Sequence, residues 1–166
     1  MSTENLNKDK SWEKLRDMVD DIKVTMMVTG LEKRPINAIP MTTKKVDNKG
    51  NIWFISMGNS EHNQNLQVNP DVHLLYSDPD DMEFMSLYGK AEITKDRSIL
   101  EDLYNPRTDN WFDGPDDPNL TAIKITPADA YYWDSKTNKY ITLLKMGVGA
   151  ITGDKKDIGE KGKLNL

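Results

Sequence analysis

The hydrophobic period of this chain changes once, near its start, and that change constrains the fold most. Over residues 8–22 the apolar side chains recur at three- and four-residue steps, which predicts an amphipathic helix. From Val24 onward they recur at a period of two, in short runs separated by glycine, proline, asparagine and aspartate. Many short strands, few helices and no strand–helix alternation predict an antiparallel barrel, closed or half-closed.

The strand signals divide the rest of the chain. Strands are predicted at residues 24–29, 36–46, 51–57, 72–76, 83–94 and 121–126, with a late pair at 130–134 and 140–145. Gly89 inside the fifth strand predicts a bulge or a close backbone approach, and Pro127 is expected to end the sixth. Short helices are predicted at about 61–68, capped by Asn59 or Ser60, and from Asp96 to about Tyr104.

Length and composition set outer limits on the function. The 166 residues suit a single domain, with a core at about 8–146 and a loosely held tail at 147–166. The chain has no cysteine, which excludes disulfides, thiolate catalysis and cysteine-ligated metal sites. No apolar run approaches the ~20 residues of a membrane helix, and the first residues lack the apolar core of a signal peptide, so we expect a cytoplasmic protein without membrane contact. The net charge is −5 and the lysines are scattered, which argues against a nucleic-acid partner.

A loop at residues 111–118 carries two aromatic side chains. Trp111 and Phe112 run directly into a segment of one glycine, two prolines and three aspartates, which neither a strand nor a helix accommodates. Large aromatic side chains are costly to leave in water. Something is therefore expected to cover them, and the residues leave three options open: the core of the chain itself, a second subunit or a flat ligand.

Three further positions have side chains suited to chemistry. Arg34-Pro35, between two strands, offers a guanidinium on a rigid backbone, and the stretch from Ser56 to His62 leads from a strand end into a helix start, where anions bind. Each has a plain structural explanation as well, a solvated arginine and a helix cap. His62 and His73 have no acidic partner at a metal-binding spacing, so no metal site is expected. The residues alone leave the function open.

Seven short pieces of the sequence, in order, resemble the FMN-binding split barrels of the pyridoxamine 5′-phosphate oxidase-like superfamily, in its general stress protein branch. The resemblance covers about residues 8–146 and implies a mainly β fold, a six-stranded antiparallel split β-barrel with flanking helices. The pieces are Arg34-Pro35, Trp53-Phe54-Ile55-Ser56, Ser60 with His62, Gly89-Lys90-Ala91-Glu92, Asp96-Arg97, Trp111-Phe112 with Gly114 and Asp117-Pro118, and Tyr132-Trp133-Asp134.

The resemblance also implies a homodimer with FMN, or alternatively FAD, at the subunit interface. By resemblance, the isoalloxazine edge is lined by Arg34, Pro35 and Ile36. Ser56 and Met57 end a strand beside the ribityl phosphate, and Ser60 and His62 bind the phosphate. Trp53 belongs to the same cofactor-binding set, and Trp111 reaches toward the cofactor or braces the interface.

Three departures from the family pattern bear on function. Position 62, usually lysine, is His62, and Ile36 stands where the usual Arg-Pro-Met has methionine. No histidine follows His73, so the C-terminal signature of true pyridoxamine phosphate oxidases is absent. The resemblance implies an FMN-dependent oxidoreductase linked to the general stress response, with an unknown small-molecule substrate and no assignable catalytic residue. The alternative is a non-catalytic flavin-binding or sensing module.

Overall fold

The computed structural model describes residues 2–3, 5–107, 109–135 and 159–166. The fold in these ranges is mainly β, with three helices. None of the helices in the described ranges is long and apolar enough to cross a bilayer. In chain order the elements are β1 Ser2–Thr3, α1 Lys8–Ile22, β2 Val24–Thr29, β3 Asn37–Thr42, β4 Lys45–Val46, β5 Ile52–Met57, α2 Glu61–Val68, β6 Asp71–Asp78, β7 Glu83–Thr94, α3 Arg97–Leu103, β8 Leu120–Asp134 and β9 Glu160–Leu164.

The antiparallel ladders join six strands into a ring. β2 pairs with β3 and β6, β6 with β7, β7 with β8, β8 with β5, and β5 with β4. Only Thr43 and Lys44 separate β3 from β4, so the two act as the single strand expected at residues 36–46. The predicted six-stranded antiparallel split barrel is therefore confirmed.

The barrel is split between β3 and β5. The ladder to β5 involves only Lys45 and Val46, extended by a 2.8 Å hydrogen bond from the Lys44 amide to the Trp53 carbonyl. Among the described strands, β3 has no ladder with β5, so the two diverge toward the start of β3 and the end of β5. This divergence leaves an opening on the barrel wall.

The apolar side chains form two clusters. The main one fills the barrel under α1 and includes Leu15, Phe54, Leu74, Leu87 and Tyr132, each almost fully buried. The smaller one lies between β5 and α3, where Trp53 and Ile55 contact Leu100 and Leu103. Both faces of β5 are thus covered, which explains its nearly continuous apolar sequence.

Proline did not end the sixth strand, contrary to the sequence prediction. β8 runs through Pro127 to Asp134, because a register shift opposite Tyr88 and Gly89 leaves Ala128 outside the pairing. A proline is tolerated at such a bulge. The close approach predicted at Gly89 is confirmed, since a Cβ there would lie 2.6 Å from the Thr126 carbonyl oxygen.

The C-terminal residues hold a strand that the sequence did not predict. Residues 140–145, the expected partner of 130–134, lie outside the described residues, as do 147–158 of the expected loose tail. β9 pairs with residues 130–134 on the side away from β7, and it also forms a short parallel ladder with β1. Its sequence, Glu-Lys-Gly-Lys-Leu, has one apolar residue, Leu164, and therefore no readable period.

Candidate functional site

A cleft of about 400 Å³ follows the split in the barrel. One wall consists of Pro40, Met41 and Thr42 on β3 and of Lys44 just before β4. The other consists of Ile55 on β5, and the loop after α3 closes one end with Asp109, Trp111 and Phe112. Most of these side chains are apolar. The size and lining are typical of a small-molecule site.

The two loop aromatics have different surroundings. Phe112 packs against the smaller core cluster, and its carbonyl accepts a long hydrogen bond from Tyr104, at 3.5 Å. Trp111 is 73% exposed. Of the three covers considered from the sequence, the chain's own core serves Phe112, whereas a partner or a ligand is left for Trp111.

An ion pair fixes this loop to the cleft wall. The Lys44 ammonium lies 2.6 Å from an Asp109 carboxylate oxygen, and both side chains are nearly buried. The same carboxylate accepts a 2.7 Å hydrogen bond from the Asn105 amide. Sequence reasoning missed this pair, because 65 residues separate its members and no motif contains either.

The loop that carries Arg34, Pro35 and Ile36 is docked on α2. Lys33 donates a hydrogen bond to the Asn65 side chain, and the Asn69 side-chain amide donates to the Glu32 carboxylate at 3.0 Å. Arg34, Pro35 and Ile36 are all exposed, and the Arg34–Pro35 peptide bond is cis. The Arg34 guanidinium makes no ion pair or hydrogen bond with the residues that the structure describes, so it is available to an anion.

The first turn of α2 follows the end of β5. Ser60 caps the helix by accepting a hydrogen bond from the Asn63 amide at 3.3 Å, and its hydroxyl lies 3.0 Å from His62 Nε2. Burial lowers the pKa of His62 below its usual value, although the charge of Glu61 opposes that shift. His62 is therefore neutral at neutral pH, and the helix N-terminus and Arg34 are the positive features here.

Ser56 faces inward rather than toward the cleft. Its hydroxyl donates to Asn63 Oδ1 at 2.9 Å and lies 2.8 Å from the Thr121 hydroxyl, and Asn63 also donates to Thr121 at 2.9 Å. The three side chains are buried. They join the end of β5, the start of α2 and β8, so Ser56 positions the helix start and its hydroxyl is engaged within the protein.

Trp53 is also held inside the protein, whereas Met57 is not. The Trp53 side chain is part of the smaller core cluster, and its indole N–H donates to Asp47 at 2.9 Å. Met57, at the end of β5, is exposed. Seven of the nine side chains expected to bind a cofactor thus reach the surface, namely Arg34, Pro35, Ile36, Met57, Ser60, His62 and Trp111.

The strand directions give the cleft two unlike ends. β4 continues β3 and is antiparallel to β5, so the start of β3 and the end of β5 lie at the same end of the split. Arg34 and Ile36 precede β3, and Ser60 and His62 follow β5. Polar and charged side chains thus flank that end, whereas the cleft is lined by Trp111 and Phe112.

A comparison with protein families identifies the fold family. The sequence model of the pyridoxamine 5′-phosphate oxidase-like proteins matches residues 10–157. The chain belongs to this family. The resemblance drawn from its motifs is confirmed.

Individual relatives are similar over part or all of the chain. General stress protein 26 of Bacillus subtilis is 32% identical over 71 residues, which are 40% of this chain and 49% of that protein. Protein bli-3 of Neurospora crassa is 27% identical over 115 residues, 63% of this chain and 55% of that protein. The chain thus spans about half the length of the curated relatives it matches.

Solved structures show the same fold at low identity. A general stress protein 26 candidate from Jannaschia sp. CCS1 superposes with a TM-score of 0.79 at 23% identity, over 96% of this chain and 100% of that one. The general stress FMN/FAD binding protein of Xanthomonas citri superposes with a TM-score of 0.66 at 21% identity, over 80% of this chain and 93% of that one.

Proposed function

We propose that this chain binds FMN in the cleft between β3 and β5, as a homodimer, and transfers electrons or hydride through it in a general stress role. The observation that carries the proposal is the cleft itself, which is lined by the exposed Trp111, together with Arg34 before β3 and the start of α2 after β5. The fold shared with the FMN/FAD binding protein of X. citri supports it, and FAD is the alternative flavin.

The polar end suits a phosphate group. The first turn of α2 directs backbone N–H groups and a positive partial charge outward, and this arrangement binds anions. Arg34 adds a planar set of donors that matches phosphate oxygens. His62 adds a hydrogen-bonding group but no charge at neutral pH. Arg34 is therefore the cation that we assign to the phosphate.

The aromatic end suits a flat ring system. Trp111 offers an exposed indole, and the opposing walls contribute Pro40, Thr42 and Ile55. Such walls would hold a tricyclic ring by apolar contact and stacking and keep water from its faces. The Lys44–Asp109 ion pair would hold the Trp111 loop at the distance that the ring needs.

An exposed apolar surface runs from the cleft across β2 to β6. Met26 lies opposite Pro40 on one side and Leu75 on the other, and Val24 lies opposite Thr42. Val24, Met26 and Leu75 are 50%, 40% and 43% exposed. Pro40 and Thr42 also line the cleft. A second copy of the chain on this surface would therefore cover the apolar side chains and form a further wall of the cleft.

The bound flavin would supply the hydride or electron transfer, and the protein would supply binding, orientation and exclusion of water. We assign no catalytic residue, because the charged side chains that line the cleft, Lys44 and Asp109, are paired with each other. His62 favours a second candidate function, a flavin-binding or sensing module without turnover, since a neutral imidazole holds a phosphate dianion less firmly than a lysine would. The cytoplasmic location stays a prediction.

Titration of the purified protein with FMN and FAD tests the binding. We expect a shifted flavin absorption spectrum and a raised melting temperature, and Arg34→Ala should weaken binding by about tenfold or more, since a charged hydrogen bond is lost. Arg16→Ala, on the exposed side of α1, is the matched control and should leave the affinity unchanged. If millimolar flavin produces no spectral change and no thermal shift, the proposal is ruled out.

Anaerobic mixing of the flavin-loaded protein with NADH or NADPH separates the two candidate functions. Bleaching of the flavin absorption by either donor supports the oxidoreductase. Firm binding without bleaching supports the non-catalytic module.

A further inference from the structure

A serine and a histidine are hydrogen-bonded to each other on the outer face of the sheet. The His73 Nε2 atom on β6 lies 2.8 Å from the Ser86 hydroxyl on β7. His73 is directly opposite Tyr88, and Ser86 is directly opposite Leu75, so the two side chains are diagonal neighbours on one face. Both are half-buried. Because 13 residues and a turn separate them, no local motif identifies the pair.

The imidazole of this pair is held in place by Tyr88. The two rings meet edge to face with their centres 6.3 Å apart, and the Tyr88 hydroxyl donates to Asp71 at 2.8 Å. Burial lowers the pKa of His73, although the charge of Asp129 opposes that shift. The imidazole is therefore neutral at neutral pH. With its hydrogen on Nδ1, it accepts the Ser86 proton at Nε2.

The pair lines a small cavity. Its volume is about 130 Å³, and its further lining residues are Tyr88, Asp129, Ala130, Tyr131 and Lys163. A larger cavity of about 600 Å³ adjoins it, since Asp129 and Lys163 line both. The Lys163 ammonium, 2.9 Å from an Asp129 carboxylate oxygen, is a cation at the junction. The two compartments suit a molecule in which a short group is linked to a bulkier one.

A serine hydroxyl bonded to a neutral imidazole has the arrangement of an activated nucleophile. The imidazole takes the proton as the oxygen attacks, so no free alkoxide has to form. A nearby ammonium offsets the negative charge that develops on the attacked carbonyl oxygen. A pair that only tied β6 to β7 would leave Ser86 as inert as any other serine. The reactivity of Ser86 therefore decides between a chemical and a structural role.

We propose that Ser86 is a nucleophile activated by His73, and that the pair hydrolyses esters with a short acyl group. Ser86 Oγ bonds to the carbonyl carbon and its proton passes to His73 Nε2. The bond to the alcohol oxygen then breaks, and the alcohol leaves with that proton. Water attacks the acyl-serine in the same way, so ester and water give acid and alcohol. The acyl group occupies the small cavity, the alcohol the larger one, and Lys163 stabilises the oxyanion.

The site lies at the edge of the apolar surface that we assign to a second copy. Leu75 belongs to that surface and is opposite Ser86. All the residues of the site belong to one chain, so its chemistry requires neither the dimer nor the flavin. Reactivity is therefore measured on both the wild type and Met26→Glu, in which a charge opposes the dimer. A failure of the flavin proposal leaves these measurements unaffected.

A fluorophosphonate probe on the purified full-length protein tests the nucleophile. Attack by Ser86 forms an O–P bond and expels fluoride, and the proton goes to His73. Mass spectrometry of the digested protein should locate the adduct on Ser86 in the wild type, in Met26→Glu or in both. His73→Gln keeps a hydrogen-bonding side chain but cannot take the proton, so it should slow labelling by about 100-fold or more. Ser77→Ala, at an exposed position of β6, is the matched control and should label as the wild type does.

Hydrolysis of p-nitrophenyl esters tests the turnover and the acyl compartment. The kcat/KM for the acetate should exceed that for the octanoate by at least about tenfold, because the longer chain exceeds the small cavity. Ser86→Ala should abolish the activity, and its melting temperature shows whether it is folded. Lys163→Met should lower kcat by about tenfold or more with little change in KM, because the ammonium acts on the oxyanion.

Three results would overturn the proposed nucleophile. They are the absence of a Ser86 adduct from both the wild type and Met26→Glu, labelling of His73→Gln at the full rate, and an esterase activity that Ser86→Ala retains. Octanoate hydrolysed as efficiently as acetate would overturn the placement of the acyl group in the small cavity.

Discussion

At the residue scale, two glycines test how the turns of this barrel are specified. Gly50, which ends the turn before β5, has a φ of +83°, and a Cβ there would lie 2.3 Å from the Trp12 ring. Gly114, in the Trp111 loop, has a φ of +111° with nothing within 4 Å of its Cβ position. The backbone conformation disfavours an L side chain at both positions, but only at Gly50 does a neighbouring ring also occupy the space of a Cβ.

Substitution of both by alanine separates the two effects. Gly114→Ala should lower the free energy of unfolding by about 1 kcal/mol, because only the backbone is strained. Gly50→Ala should cost about 2–4 kcal/mol, because the Trp12 ring must also move. Urea unfolding measures both values, and a changed tryptophan fluorescence should accompany Gly50→Ala alone. Equal losses for the two variants would contradict this explanation.

His62 is the residue that separates this chain from the usual family pattern. His62→Lys would place a full positive charge beside Ser60 and the start of α2. If the polar end of the cleft holds the flavin phosphate, FMN affinity at pH 8 should rise by about tenfold, and the gain should shrink with added salt. His73→Lys, on the outer side of β6, is the control. An unchanged affinity for His62→Lys would place the phosphate elsewhere.

At the scale of the elements, the position of α2 rests on the buried group formed by Ser56, Asn63 and Thr121. Thr121→Val keeps the shape of the side chain but removes the hydroxyl that accepts from Asn63 and contacts Ser56. The buried partners then lose hydrogen bonds, and we expect a loss of about 2 kcal/mol in the free energy of unfolding. FMN affinity should fall as well, because the start of α2 is no longer fixed.

Thr126→Val provides the matched control for that variant. Thr126 lies on the same strand, but it is exposed and its hydroxyl donates to the Asn51 side chain at 2.9 Å. Its substitution should change the stability by less than about 1 kcal/mol and leave flavin affinity unchanged. If both variants lose the same stability, the buried group does not position α2.

The sequence predicted elements well where their ends carry local signals. α1, α2 and β7 have the predicted bounds, because Ser60 caps α2, Pro70 follows it and strict alternation marks β7. The sequence prediction failed where pairing with distant strands determines the bounds of an element. β8 continues past Pro127 through a bulge, and β9 lacks an apolar period. At the site, the motif residues were identifiable, but neither the inward direction of Ser56 nor the Lys44–Asp109 pair has a local signature.

At the scale of the whole molecule, the apolar surface on β2 and β6 gives the sharpest test of the proposed dimer. Met26→Glu puts a carboxylate at its centre, where burial by a second copy would cost several kcal/mol. The variant should therefore be monomeric by light scattering, whereas the wild type should be dimeric. Because Met26 is 40% exposed within one chain, the barrel itself should keep its melting temperature within a few degrees in the absence of flavin.

The monomer should also bind FMN more weakly, by at least about tenfold, since the cleft loses the wall that we assign to the partner. Val68→Glu provides the control: Val68 is 79% exposed at the end of α2, and its substitution should leave both the dimer and the affinity intact. If Met26→Glu is monomeric but binds FMN with full affinity, the flavin site lies within a single chain. If the wild type is monomeric at all concentrations, the proposed dimer is contradicted, and only the ligand is left to cover Trp111.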